Sequence, residues 1–102
     1  MKIWLDDERP MPEGFDTLCK TAEECLEAIK TGRVEYLSFD HDLGSGENGS
    51  WLADEIETLA YYGNIKPFDW DVHSANPVGR RVIIACMKSA ERFWYSDRKR
   101  KW

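Results

Sequence analysis

The chain has 102 residues and a formal net charge of −5, with 42% apolar, 13% aromatic and 32% charged residues. That length suits one domain, since single domains commonly span roughly 100–150 residues around one core, and the apolar share argues against intrinsic disorder. The acidic balance disfavours nonspecific binding along a polyanion, whereas a small anionic ligand needs only a local basic group.

A lone Lys2 is followed at once by Asp6-Asp7, so no secretory signal is expected. No apolar stretch approaches the roughly 20 residues of a membrane span. Cys19, Cys25 and Cys86 are odd in number and form no C-x-x-C pair. They read as small buried apolar residues in a reducing compartment, with no disulfide-linked partner. These features together predict a cytoplasmic protein without membrane contact.

Ile3-Trp4-Leu5 is a short apolar run ending in acid, the pattern of a central strand buried on both faces. Pro10, Pro12 and Gly14 then enforce a loop where doubly wound folds place a first helix, so that helix is reduced. Residues 15–20 read as a strand. Thr21 and Glu24 match a capping box, and Ala22, Cys25, Leu26 and Ile29 recur at helical spacing, predicting a helix over 21–31 that stops at Gly32.

Residues 34–39 form the next buried strand, ending at Asp40. The segment from Gly44 to Gly49 is a flap or linker; it lacks the Lys-Ser/Thr ending of a P-loop. Ser50 is expected to cap a helix that turns Leu52, Ile56, Leu59 and Ala60 inward and ends at Gly63-Asn64. Residues 68–73 alternate strictly and predict an edge strand. Asn76 as N-cap, with Pro77 at the first helical position, opens a last helix to about Tyr95 with Val82, Cys86, Phe93 and neighbours facing the core. Trp4, Trp51, Trp70 and Trp94 are expected in core or rim packing, one near the rim being able to stack on a nucleobase. Arg98-Lys99-Arg100-Lys101-Trp102 is the one basic run, expected as a solvated tail (98–102) behind a single domain of residues 1–97.

The order β, β, α, β, α, β, α, joined by right-handed crossovers, gives a parallel four-stranded sheet arranged 2-1-3-4. In such sheets ligands bind outside the carboxyl ends of the strands. Asp6-Asp7, Asp40-His41-Asp42 and His73-Ser74 all fall at such ends, so three clusters meet at one rim. Converging carboxylates repel one another, and a hard divalent cation relieves the repulsion. Mg2+ or Mn2+ is expected on Asp6, Asp7 and Asp40, with Asp42 a fourth candidate; alternatively Asp6 and Asp7 cap a turn and pair with Arg9.

His41 and His73 are the chain's only histidines, and two imidazoles in one cleft suit general acid–base work. Zinc ligation competes with that role, although neither spacing matches a zinc motif. Ser74 and Asn76 lie at the start of the last helix, where backbone N–H groups and the helix dipole favour an anion. Arg80, one turn in, and Arg9, from the other side, reach toward the same pocket. The plainer alternative makes Asn76 a cap and Arg80 a solvated side chain.

An acidic pair after strand one, Asp40 after strand three and Ser74 after strand four resemble a response-regulator receiver domain, but the fifth strand with its lysine is missing. The combination Trp4-Leu5-Asp6-Asp7-Glu8-Arg9-Pro10, Ser38-Phe39-Asp40-His41-Asp42-Leu43-Gly44 and His73-Ser74-Ala75-Asn76-Pro77-Val78-Gly79-Arg80 more closely resembles the cyclic-phosphate processing receiver-like family, across nearly the whole chain. The resemblance implies a truncated receiver-like (flavodoxin-like) three-layer α/β fold. It also implies a phosphoesterase-like hydrolase acting on cyclic phosphates of nucleotides or RNA ends. In that reading the cation sits on the aspartates, His41 and His73 act as base and acid with Asp40 in the catalytic group, and Ser74, Asn76, Arg80 and Arg9 hold the phosphate. Three rivals are a noncatalytic phosphate- or nucleotide-binding module, a phosphoacceptor receiver using Asp40, and an interaction domain using the edge strand.

Overall fold

The structure, a computed structural model, describes residues 1–96; the basic run expected at 98–102 lies outside them. Four strands and three helices follow in the order β1 (Lys2–Leu5), β2 (Thr17–Cys19), α1 (Ala22–Lys30), β3 (Tyr36–Phe39), α2 (Gly49–Tyr61), β4 (Asp69–Val72) and α3 (Pro77–Tyr95). All strand pairings are parallel, and the sheet order is β2-β1-β3-β4, as the sequence predicts, with β2, β3 and β4 shorter than the segments expected for them. Among the described residues, no helix is long and apolar enough to cross a membrane.

Local sequence explains the helix starts. Thr21 and Glu24 form the predicted capping box of α1, each side chain taking a backbone N–H of the other. Asn76 caps α3 by accepting the Gly79 N–H, and Pro77 loses no bond because the first turn's N–H groups have no helical acceptor. The expected Ser50 cap of α2 is corrected to Asn48, whose side chain accepts the Trp51 N–H at 2.9 Å. Either residue type can cap, and position decides: the chain is still extended at Asn48 and already helical at Gly49.

Period two divides the sheet into two faces. Ile3, Leu5, Leu37 and Phe39 belong to one buried cluster with Leu26 and Ile29 of α1, Leu52 and Ile56 of α2, and Ile83, Met87 and Trp94 of α3. All three helices therefore cover this face, with α2 between α1 and α3. The inward row of α3 is Ile83, Met87, Ala90 and Trp94, neighbours of the expected Val82, Cys86 and Phe93, of which Val82 turns outward. Two adjacent rows are apolar, and the longer i, i+4, i+7, i+11 row enters the core, leaving Val82 exposed and Cys86 and Phe93 at the margin.

The other face carries Trp4 and Ser38 in register. Its covering layer is the loop between β1 and β2, which stands where a first helix would have been. Phe15 packs edge-on to Trp4 at 5.2 Å and reaches Tyr36 at 5.7 Å, while the Trp4 indole N–H donates to the Arg9 carbonyl at 3.2 Å.

Candidate functional site

Register builds the site. Leu5 pairs with Phe39 and Phe39 with Val72, so the three strands end level. The next residues, Asp6, Asp40 and His73, continue the ladder: Asp40 N–H donates to Leu5 O at 3.0 Å and His73 N–H to Phe39 O at 2.9 Å. Ligand atoms of these three side chains all lie within 4.8 Å of one another. Parity places them above the Trp4 and Ser38 row, and both residues touch His73.

Asp6 is only 1% exposed, yet its carboxylate is well supplied. Oδ1 accepts the Glu8 and Arg9 N–H groups at 2.8 and 2.9 Å, and Oδ2 faces His73 Nε2 at 3.0 Å. Burial pushes the carboxyl up, but these hydrogen bonds, the two backbone donors first, outweigh it and hold Asp6 below the ordinary aspartate value. Burial pushes the His73 imidazole down, more than Asp6 draws it up. On its other side, His73 Nδ1 meets Ser38 Oγ at 2.7 Å, and the ring lies flat on Trp4, 3.7 Å between centroids and 7° between planes.

The His41 seat is built differently. Nδ1 meets Asp42 Oδ1 at 2.8 Å, and that bond first of all holds the Asp42 carboxyl below its ordinary value. The imidazole sits over Gly79 so closely that a Cβ there would overlap the ring. The Asn76 amide links the helix cap to this pair: its Oδ1 accepts Gly79 N–H, so its Nδ2 faces Asp42, 3.3 Å from each oxygen.

Other predicted site residues are placed as follows. Asp7 is outside the Asp6, Asp40 and His73 group, and its Oδ2 accepts the Gly44 N–H at 2.7 Å. That bond, with Glu47 N–H on Glu23 and Gly49 N–H on the His41 carbonyl, ties down the segment expected as a flap or linker. Asp42 sits with His41 and Asn76, not with the three-residue group. Ser74 is buried, and its hydroxyl accepts the Asn76 N–H at 3.1 Å, closing the turn. The two arginines hold the end of β4: Arg80 donates to the Val72 carbonyl, and Arg9 to the His73 carbonyl at 2.8 Å. Each guanidinium has five N–H donors, so these bonds orient it without exhausting it.

Ser38, 4% exposed, was missed as a site residue. The available signal was its position two residues before Asp40, on the same face of a strand.

A second group, Asp54, Glu57 and Cys86, lies between α2 and α3. Burial first, then Glu57 and Asp54, push the Cys86 thiol up to about 11.

The family model of the cyclic-phosphate processing receiver domain matches residues 1–89. The chain belongs to this family. The family's receiver-type architecture accords with the observed sheet order, and its description carries a role in cyclic-phosphate processing. Searches of curated proteins and of solved structures found no match.

Proposed function

We propose that the rim site opens cyclic phosphates of nucleotides or RNA ends by hydrolysis. The observation that carries this reading is the level row of Asp6, Asp40 and His73, with the His41 and Asp42 pair one residue beyond Asp40. Hydrolytic opening needs three things: negative charge on the phosphoryl oxygens must be offset, a water proton must be taken, and the departing ribose oxygen must receive one. The water oxygen forms a new bond to phosphorus, one of the two ring P–O bonds breaks, and a phosphomonoester with a freed hydroxyl results.

Two imidazoles divide the proton work. Asp6 and Asp40 supply hard oxygen donors that suit a divalent cation, Mg2+ or Mn2+, and their convergence supports that fit. Such an ion, when bound, offsets phosphoryl charge. Arg9 and Arg80, moored to the end of β4, and the start of α3 with Asn76 would hold the phosphate.

The test uses 2′,3′-cyclic nucleotides and RNA bearing a 2′,3′-cyclic phosphate end, with and without Mg2+ or Mn2+, followed by 31P NMR. Appearance of a phosphomonoester resonance, lost in His41→Ala and His73→Ala, is the expected result. Binding with the cyclic phosphate left intact would identify a noncatalytic module, and an acid-labile phosphate on Asp40 would identify a phosphoacceptor.

A further inference from the structure

We infer that the two histidines are held in opposite neutral tautomers, His41 protonated on Nδ1 and His73 on Nε2, with Asp42 and Ser38 as positioning residues. The inference deepens the acid–base reading of the site and rests on it for its catalytic meaning.

An ionised carboxylate only accepts hydrogen bonds, so a nitrogen close to it must carry a proton. His41 Nδ1 lies 2.8 Å from Asp42 Oδ1, and Asn76 Nδ2 lies farther off at 3.4 Å. The shorter contact fixes the proton on Nδ1 and leaves Nε2 with its lone pair. Asn76 cannot reverse this by flipping its amide, because its Oδ1 is committed to the Gly79 N–H.

The logic runs the other way at His73. Nε2 lies 3.0 Å from Asp6 Oδ2, and Nδ1 lies 2.7 Å from Ser38 Oγ. The carboxylate requires the proton on Nε2, so Nδ1 accepts the Ser38 hydroxyl proton. A hydroxyl can donate or accept, which makes serine a suitable partner on that side. Stacking on Trp4 keeps the ring in the plane that serves both bonds.

Two consequences follow for function. His41 offers an acceptor nitrogen, the base, whereas the neutral His73 ring, its N–H held by Asp6, serves as the acid only after taking up a second proton on Nδ1. A protonated Nε2 has no lone pair for a metal, so His73 is a donor to Asp6, and a cation there rests on the carboxylates. Asp42 acts through His41 and is not itself a ligand.

The chain's two histidines make the measurement direct. Protein labelled with 15N in its imidazoles, at a pH above both titrations, is examined by two-bond 1H–15N correlation, with His41→Ala and His73→Ala assigning the signals. The expected pattern is Nδ1–H for His41 and Nε2–H for His73, with the latter retained on addition of Mg2+ or Zn2+. The same tautomer in both rings, or a switch of His73 to Nδ1–H with either ion, would overturn the inference. In Asp42→Ala, Asn76 Nδ2 becomes the neighbour of His41 Nδ1, so the majority form is expected to invert to Nε2–H; an unchanged Nδ1–H majority would remove Asp42 from its positioning role. Asp42 is exposed, so this variant is expected to fold. No substrate enters the measurement: lack of turnover would sink the cyclic-phosphate reading alone, and wrong tautomers would sink this assignment alone.

Discussion

The two faces of the sheet, made from the odd and the even positions of the same strands β1 and β3, are held by different forces. Beneath the helices, Ile3, Leu5, Leu37 and Phe39 are fully buried among apolar neighbours. Beneath the loop, Trp4 and Ser38 are nearly as buried, but Ser38 meets His73 through a hydrogen bond and Trp4 through ring stacking. Apolar packing is non-directional and supplies stability; hydrogen bonds and stacking are directional and supply orientation. One short strand performs both tasks because its side chains alternate.

Substitutions on each face can break that contrast. The largest loss of stability is expected from Phe39→Ala, about 3–5 kcal/mol, since it empties a closed core; equilibrium denaturation measures it. His41→Ala and His73→Ala are each expected to slow cyclic-phosphate opening about 10²–10⁴-fold, with melting temperature little changed in His41→Ala and lowered less than in Phe39→Ala in His73→Ala, as single-turnover kinetics and thermal melts will show. A melt as damaged as that of Phe39→Ala would make the loop-covered face structural instead.

Smaller effects sharpen the contrast. A divalent cation at a hundredfold excess over its Kd is expected to add about 2.7 kcal/mol, and Asp6→Asn or Asp40→Asn to abolish the thermal shift. Ser38→Ala leaves His73 Nδ1 without its donor, a loss of about 1–3 kcal/mol read by denaturation. Gly79→Ala sets two effects against each other: alanine in a helix gains about 0.5–1 kcal/mol, but its Cβ displaces the His41 ring. Activity is expected to fall toward that of His41→Ala while the melting temperature moves little.

The gentlest probe is pH. His73 in the fold lies below its ordinary 6.5, so the unfolded chain takes up that proton first. Its contribution to stability is complete above 6.5 and is lost as pH falls through the folded value. Asp6, lowered from 3.8, adds a second loss of the same sign in more acidic solution. Melting temperature should therefore decline in two stages, and His73→Ala should remove the first.

Much of this was legible in the residue order. Apolar runs ending in Asp6, Asp40 and His73 located the strand ends, and Thr21 with Glu24 and Asn76 with Pro77 located two helix starts, because capping is local chemistry. The choice of Asn48 over Ser50 depended on where the chain turned from extended to helical. The inward row of α3 depended on which of two apolar rows packed better against α2. Partners of Asp7, Arg9 and Arg80 were not legible, since each bonds backbone at sites 37, 64 and 8 residues away, placed there by the finished sheet. Ser38 became interpretable only with the β3 to β4 register that sets His73 above it.

The contact between Asp6 and His73 spans 67 residues of chain. Parallel strands cannot pair through tight turns, so β1 waits for β3 and β3 for β4, each after an intervening helix has been laid down. Such long closures come late and slow the search for the native state. A compact intermediate with formed helices would lack the row of Asp6, Asp40 and His73 altogether. Return of the stacked His73 resonance during refolding would therefore time the docking of β4, an event distinct from the earlier collapse of the helices.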